Sequence, residues 1–186
     1  MSKHLKRYFV PKTWSIKKKG IKYVTKSSPG THKMTLALPL NVVLRDVLDY
    51  ATTNKEVKFI VSNKNITIDG IRRKDHKFPV GLFDVLSLDD TGEHFRVLLD
   101  KKGKLILIKI EKGESNVKLC KIVGKTTVKG KIQLNLYDGK NILVDKKDFK
   151  VGDVILLGFG KKFEIKDHIK LDKNALIYLI GGKHIG

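Results

Sequence analysis

The amino-acid sequence predicts an α+β protein in which a basic N-terminal extension and two short helices precede a β-rich region. Three observations lead to this fold class. The first 45 residues contain eleven Lys or Arg and no Asp or Glu. Apolar residues then recur at helical spacing between Leu40 and Val61. After Leu88 they alternate with a period of two, so strands are expected from there onward.

Length and composition favour an intracellular globular protein with a polyanionic partner. A chain of 186 residues, 41% of them hydrophobic, can form one good core or two small ones. Its 39 Lys and Arg against 19 Asp and Glu give a formal charge of +20, which a nucleic acid would neutralise. An anionic membrane surface is the alternative, but apolar runs such as residues 154–157 are too short to span a bilayer. The single Cys120 cannot form an internal disulfide, and the first residues do not resemble a signal peptide.

Residues 1–38 form the predicted basic extension. Its cations are interspersed with Tyr8, Phe9, Trp14 and Tyr23, and no helical or alternating period holds for long. We therefore expect it to fold only against a partner, with aromatics stacking on unpaired RNA bases and cations contacting phosphates. A solvated basic tail is the alternative, although such a tail usually mixes charges of both signs. The candidate RNA-binding residues here are Lys6, Arg7, Lys12, Trp14, Lys17, Lys18 and Lys19.

Two short helices are predicted to follow. From Leu40 to Ala51 apolar residues fall at i, i+3, i+4, i+7, i+8 and i+11, and Pro39 suits the first helical position. A second helix is expected to begin at Thr53, because Thr53 and Glu56 have the spacing of a capping box.

Two strands and a basic loop complete this segment. Residues 66–68 and 85–88 are predicted strands, and residues 72–77 form a basic loop between them. The adjacent guanidinium groups of Arg72 and Arg73 could each bind a phosphate through two hydrogen bonds. The candidate RNA-binding residues of the segment are Arg45, Lys55, Lys58, Lys64, Arg72, Arg73 and Lys74.

The rest of the chain is predicted to consist of short strands joined by glycine turns. Residues 100–103 form a plausible hairpin turn. Strands at this spacing favour a small barrel or a sandwich. The expected strands are 95–99, 105–110, 117–122, 132–136, 142–144, 154–157, 163–165, 168–171 and 176–180.

Two resemblances sharpen these predictions. Residues 39–90 resemble the S4-type RNA-binding domain at positions 44–48, 56–64, 66–70 and 78–85. Taken whole, the chain resembles the ribosomal protein S4e family. That resemblance is carried by His4-Leu5-Lys6-Arg7, Pro11-Lys12, Trp14, residues 29–33, 91–96 and 118–121, Asp138-Gly139, residues 167–171 and residues 181–186.

The resemblance implies a structural protein of the small ribosomal subunit that works in translation in the cytoplasm. It would bind ribosomal RNA through the basic extension (1–38) and the S4-type domain (39–90), beside neighbouring small-subunit proteins. A central β-rich domain (91–175) would follow. In that family the residues matching 180–186 open a KOW module, so residues 176–186 are expected to be the start of one, which is incomplete here. The residues of the N-terminal extension and Gly139 resemble the archaeal members of the family more than the eukaryotic ones.

No catalytic site is recognisable, so we predict that the protein is not an enzyme. Residues 123–126 lack the earlier glycine of a phosphate-binding loop, and Ile132 follows Gly130-Lys131 where Ser or Thr is required. The six histidines lack metal-binding spacing, so neither a metal nor a cofactor is expected. Neither a membrane nor a small-molecule substrate is an expected partner. An RNA-modifying enzyme with an S4-type targeting module and a free-standing RNA chaperone or translation factor are the alternatives.

Overall fold

The computed structural model describes residues 4–128, 130–145, 148–160 and 163–185. The chain divides into two compact units. The first unit comprises Met1–Ser115 with Tyr178–Gly186, and the second unit comprises Asn116–Ile177. These boundaries differ from the four predicted segments, because the basic extension and the helical segment share one hydrophobic core in the first unit. Gly186, the last residue of the predicted KOW start, lies outside the described residues.

The first unit is built on an antiparallel sheet with two helical segments. Helix α1 (Leu40–Val42) continues as a π-helix over Val43–Val47, and α2 covers Asn54–Asn63. The strands are β1 (Leu5–Lys6), β2 (Tyr23–Val24), β3 (Ala37–Pro39), β4 (Ile66–Ile68), β5 (Ile71–Arg72), β6 (Pro79–Gly81), β7 (Val85–Leu88), β8 (Glu93–Leu99) and β9 (Leu105–Ile110). The main sheet has the order β5-β4-β7-β8-β9, while β1 pairs with β2 and β3 with β6.

The second helix begins at its predicted cap, whereas Pro39, predicted as the first helical position, is instead the last residue of β3 and precedes α1, and the first helix also ends early. The Thr53 hydroxyl accepts a hydrogen bond from the Glu56 N–H at 3.2 Å, so the predicted capping box is confirmed. The first helix stops after Val47, four residues short of the predicted end. Its last turn is wide, with the Leu48 N–H donating to the Val43 carbonyl, and Asp49 then adopts a φ of 54°. A left-handed residue of this kind ends a helix.

The basic extension is folded against the first unit. Trp14 is 2% exposed, and its indole N–H donates to the Met34 carbonyl at 3.0 Å. Val10 and Val24 join the same core, and the Thr13 carbonyl accepts from the Leu105 N–H. The expectation that this segment folds only against a partner is consistent with this packing, although RNA was the partner expected. Its partner is the protein's own core, which it reaches through buried side chains at irregular spacing.

The second unit is one curled antiparallel sheet. Its strands are β10 (Val117–Val128), β11 (Lys131–Leu136), β12 (Asn141–Val144), β13 (Val154–Gly158) and β14 (Glu164–Ile169), in the order β12-β11-β10-β13-β14. The first half of β10 pairs with β13 and the second half with β11, with an irregularity between Ile122 and Gly124. Across the described residues β12 and β14 are sheet edges, so the sheet is curled but is not a closed barrel.

Two strand predictions near the end of the chain are wrong. The predicted strands 163–165 and 168–171 form the single strand β14. Residues 176–180 are a continuous apolar run but not a strand, because no described strand lies beside them to complete a ladder. Instead the Tyr178 hydroxyl bonds to the backbone N–H and carbonyl of Leu99, at 2.8 and 3.0 Å. Neither α1 nor α2 is long and apolar enough to cross a membrane.

Candidate nucleic-acid interface

Acidic side chains in the first unit hold the fold together close to its cationic N-terminal region. Asp46 accepts from the Arg7 guanidinium at 3.2 Å and from the Arg45 guanidinium at 2.7 Å. Glu56 closes the cap of α2, and hydrogen bonds from backbone Thr52 N–H, the Thr53 hydroxyl and backbone Thr53 N–H hold its pKa below the ordinary value. Asp75 accepts from the Ser28 hydroxyl and from the Lys77 N–H. These carboxylates serve local structure, so the exposed lysines determine the surface charge.

Three of the predicted RNA-binding side chains point inward. Besides its bond to Asp46, the Arg7 guanidinium donates to the carbonyls of Ile21 and Lys17, and its side chain is 8% exposed. The Arg45 side chain is 12% exposed, and Trp14 is buried in the core. Arg7 thereby fixes the loop that carries Lys17. RNA contacts for these three residues stay a prediction, and the geometry gives each of them an internal role.

The remaining extension candidates lie at the surface. Lys6, Lys12, Lys17, Lys18 and Lys19 are all exposed. Tyr8 and Phe9 follow Arg7 in a short 3-10 turn, are 75% and 70% exposed, and contact each other edge to face. The extension thus presents cations and aromatic rings together, the combination that binds single-stranded nucleic acid.

The candidates on α2 and in the loop after it are exposed to different degrees. Lys55, Lys58 and Lys74 are exposed, and Lys64 forms a surface ion pair with Asp90 at 3.2 Å. Arg72 is exposed, whereas Arg73 is half-buried with its guanidinium 4.2 Å from the centre of the Phe78 ring. Successive residues of an extended chain point to opposite sides, which explains why the neighbouring arginines differ.

A groove of about 270 Å³ brings the extension, α2 and the basic loop together within the first unit. The pairing of β1 with β2 places His4 near Tyr23, with ring centroids 5.6 Å apart. Of the predicted site residues only Lys58 lines this groove. The full lining is His4, Leu5, Tyr23, Val24, Thr25, Lys26, Asn54, Lys58, His76 and Lys77. Tyr23 is one of the aromatic residues expected to stack on bases, and the other lining residues were not predicted as site residues because the groove is assembled from segments far apart in the sequence.

Hydrogen bonds join the walls of this groove. Asn41 is fully buried, and its side-chain amide donates to the Thr25 hydroxyl at 3.0 Å and to the Asn54 side-chain carbonyl. The Asn41 N–H donates to the His76 carbonyl at 2.8 Å, and the Ser28 N–H donates to the Lys77 carbonyl at 2.9 Å. The extension, the start of each helix and the basic loop are therefore tied at one place, and the groove is preorganised.

The electrostatics of the groove are cationic. Burial lowers the pKa of His76, the charge of Lys58 lowers it further, and Asp75 opposes the shift less strongly. The lysine disfavours the protonated imidazole because both groups are positively charged, so the electrostatic potential at the His76 ring is positive. A bound anion would reduce this repulsion. Over the described ranges, no cluster of three or more His, Cys, Asp or Glu side chains could hold a metal ion.

Comparisons with known proteins match two parts of the chain to family models. The model described as "Ribosomal family S4e" matches residues 91–162, and the "RS4NT (NUC023) domain" matches residues 1–35. These parts contain strands β8 to β13 and most of the basic extension.

Full-length relatives and a solved structure extend these matches. The small ribosomal subunit protein eS4 of Methanosphaera stadtmanae is 49% identical over 184 residues, covering 98% of this chain and 76% of the relative. The protein of the same name from Archaeoglobus fulgidus is 46% identical over 184 residues, with the same coverage of both chains. The crystal structure of 30S ribosomal protein S4e from Thermoplasma acidophilum is similar with a TM-score of 0.66 and 29% identity, covering 81% of this chain and 76% of that one.

Proposed function

Because this chain belongs to the ribosomal protein S4e family, we propose that it is a structural constituent of the small ribosomal subunit and binds ribosomal RNA through its first unit. The relatives are named as ribosomal proteins, so the prediction that the chain is not an enzyme is confirmed by its family. The same family places its work in translation, in the ribosomes of the cytoplasm.

The observation that carries RNA binding is the arrangement of charge in the first unit. No acidic residue occurs before Asp46, and Asp46 is occupied by Arg7 and Arg45. The candidate lysines Lys6, Lys12, Lys17, Lys18 and Lys19 remain at the surface, and the extension also exposes aromatic rings. RNA phosphates are the natural counterions of such a surface, and phosphate contacts position a protein on folded RNA.

Residues 39–90 supply the second part of the proposed RNA surface. The succession of α1, α2 and β4, then the short strands β5 and β6 on either side of the basic residues 73–77, and then β7 supports an S4-type domain. We assign its RNA contacts to the exposed side chains of Lys55, Lys58, Arg72 and Lys74. Lys64 and Arg73 lie at the margin, because Lys64 pairs with Asp90 and Arg73 is half-buried against Phe78. Neighbouring small-subunit proteins and a KOW module beginning near residue 176 belong to the same proposal.

Sedimentation of a cell lysate at moderate and at high salt tests this function. We expect the protein to travel with the small subunit, in near-equal amount to its RNA, and to resist the high-salt wash. Phosphate contacts weaken steeply as salt rises, so retention in the high-salt wash would show that shape complementarity to folded RNA also holds the protein. A protein that stays at the top of the gradient, or that washes off at modest salt, would instead be a free-standing RNA chaperone or translation factor.

A further inference from the structure

We propose that the groove between the N-terminal extension, α2 and the basic loop captures one unpaired RNA nucleotide, with its phosphate among Lys26, Lys58 and Lys77 and its base against Tyr23. This inference rests on the proposed RNA-binding function and adds to it a defined site for a single-stranded nucleotide. The residues that would make it come from three chain segments that only the fold brings together.

The charge of the lining indicates an anionic ligand. Lys26, Lys58 and Lys77 converge on the groove, and none of its ten lining residues is acidic. Gathering like charges costs free energy in the unbound protein, so the fold has to hold them in place. The buried Asn41 bridge and the backbone bonds to His76 and Lys77 do this. A phosphate would relieve the repulsion without any rearrangement of the walls.

The size of the groove selects one nucleotide over a duplex. A volume of about 270 Å³ lies just below the range of about 300 to 1,000 Å³ that is typical of ligand sites. A duplex presents its phosphates on a wide convex surface, which cannot enter a recess of this size. A single nucleotide turned out of its strand can enter, and single-stranded RNA is recognised in this way.

The aromatic rings favour a nucleotide over an acidic peptide. Tyr23 is 46% exposed, and the ring of His4 lies beside it at 5.6 Å, tilted by 48°. Lys22 lies near the Tyr23 ring as well, with its Nζ 5.5 Å from the ring centre. A base stacked on such a ring gains affinity that a carboxylate side chain would not.

Binding of two labelled RNA pentamers to the full chain tests the site. One probe is a pentamer of adenosines, and the other has the same backbone with the bases removed, so that both carry equal charge. We expect the wild-type protein to bind the adenosine pentamer about tenfold more tightly in fluorescence anisotropy. Equal affinity for the two probes would overturn the proposal, and tighter binding of a glutamate pentapeptide would assign the groove to a protein partner.

Variants separate the base contact from the phosphate contact. Tyr23→Leu should abolish the preference for the base, while Tyr23→Phe should keep it. Phe59→Leu is the matched control and should keep the preference, because Phe59 is a 65% exposed aromatic residue that neither lines the groove nor belongs to the assigned RNA contacts. Lys58→Gln should keep the base preference and reduce the slope of log affinity against log salt by about 0.7. A Tyr23→Leu protein with an unchanged base preference would place the base elsewhere and overturn the proposal.

The outcome also distinguishes the groove from the general function. A chain that sediments with the small subunit but shows no base preference keeps its ribosomal role and loses only the nucleotide site. A chain that binds neither pentamer and does not sediment with the subunit loses both.

Discussion

The two units contain nearly the same proportion of charges but use them differently. The first unit has 25 Lys and Arg against 12 Asp and Glu, and the second has 14 against 7. In the first unit the N-terminal 45 residues have no acid, and from residue 4 onward all of their lysines except the half-buried Lys26 are exposed. In the second unit two carboxylates, those of Asp138 and Asp153, are 2% and 3% exposed and bind several partners each. Charge composition alone therefore does not say where a protein binds its partner.

The buried carboxylates of the second unit connect its strands and turns through ion pairs and hydrogen bonds. Asp138 lies in the turn between β11 and β12 and pairs with Lys118 at 3.1 Å and Lys140 at 2.8 Å. Asp153 accepts from the His168 ring at 2.8 Å and from the Lys150 and Leu171 N–H groups. The first unit has a buried pair as well, Asp84 with His32 at 2.9 Å, but there the partner is a histidine. Lysine burial is thus a feature of the second unit.

Removal of the buried lysine is expected to have the largest effect. Lys118→Ala should destabilise the second unit by roughly 3 kcal/mol or more, because it leaves the buried Asp138 with fewer partners. Lys121→Ala on the same strand is the matched control, since its side chain is exposed, and it should change stability by less than about 0.5 kcal/mol. Urea unfolding, followed by hydrogen exchange in β10 and β13, measures both. Equal effects of the two substitutions would show that the buried pair contributes nothing.

The second-largest expected effect is a difference between the two units in how their stability changes at low pH. Burial by itself raises the pKa of Asp138, but Lys118 and Lys140 outweigh it and hold the pKa below the ordinary value. Burial likewise raises the pKa of Asp153, and hydrogen bonds from Lys150, His168 and Leu171 together lower it further than burial raises it. A carboxyl group with a depressed pKa in the folded state stabilises the fold above its unfolded pKa, near 4, and loses this effect as pH falls through the folded value.

The second unit should therefore lose stability first when the pH falls below about 4. In the first unit the lowered pKa values of Glu56 and Glu93 belong to exposed groups, whose contribution solvent screens. Amide NMR spectra recorded between about pH 5 and pH 2 should show the signals of the second unit disappearing earlier. Asp145→Asn is a control, because its 80% exposed side chain pairs only at the surface. Simultaneous loss of both units would contradict the assignment.

The features that the sequence predicts are local ones. The capping box at Thr53 involves residues three apart, and the β8–β9 hairpin needs only alternation around a glycine turn at Gly103. The groove was not predictable in this way, because it needs His4 beside Tyr23 and a loop held by Ser28. Arg7 shows the same limit. Its type and position are typical of an RNA contact, but Asp46, 39 residues away, engages it in the folded chain.

The smallest expected effect concerns two adjacent arginines, and it tests within the first unit the contrast between surface and structural charge. Arg72→Gln should reduce the slope of log affinity against log salt for small-subunit ribosomal RNA by roughly 0.7 to 0.9, the contribution of one phosphate contact. Arg73→Gln should leave that slope nearly unchanged, because the Arg73 guanidinium lies against Phe78. Its cost should instead be a loss of stability of roughly 0.5 to 2 kcal/mol.

Because the two substitutions are identical and adjacent, they remove the same charge and differ only in where the side chain points. Equal reductions of the slope would mean that Arg73 leaves Phe78 and binds phosphate when RNA arrives, as the sequence alone suggested. No reduction in either variant would remove this loop from the RNA surface. Salt titrations from about 50 to 200 mM, combined with urea unfolding of the same variants, separate these results, because only a phosphate contact changes the slope and only a packing contact changes the stability.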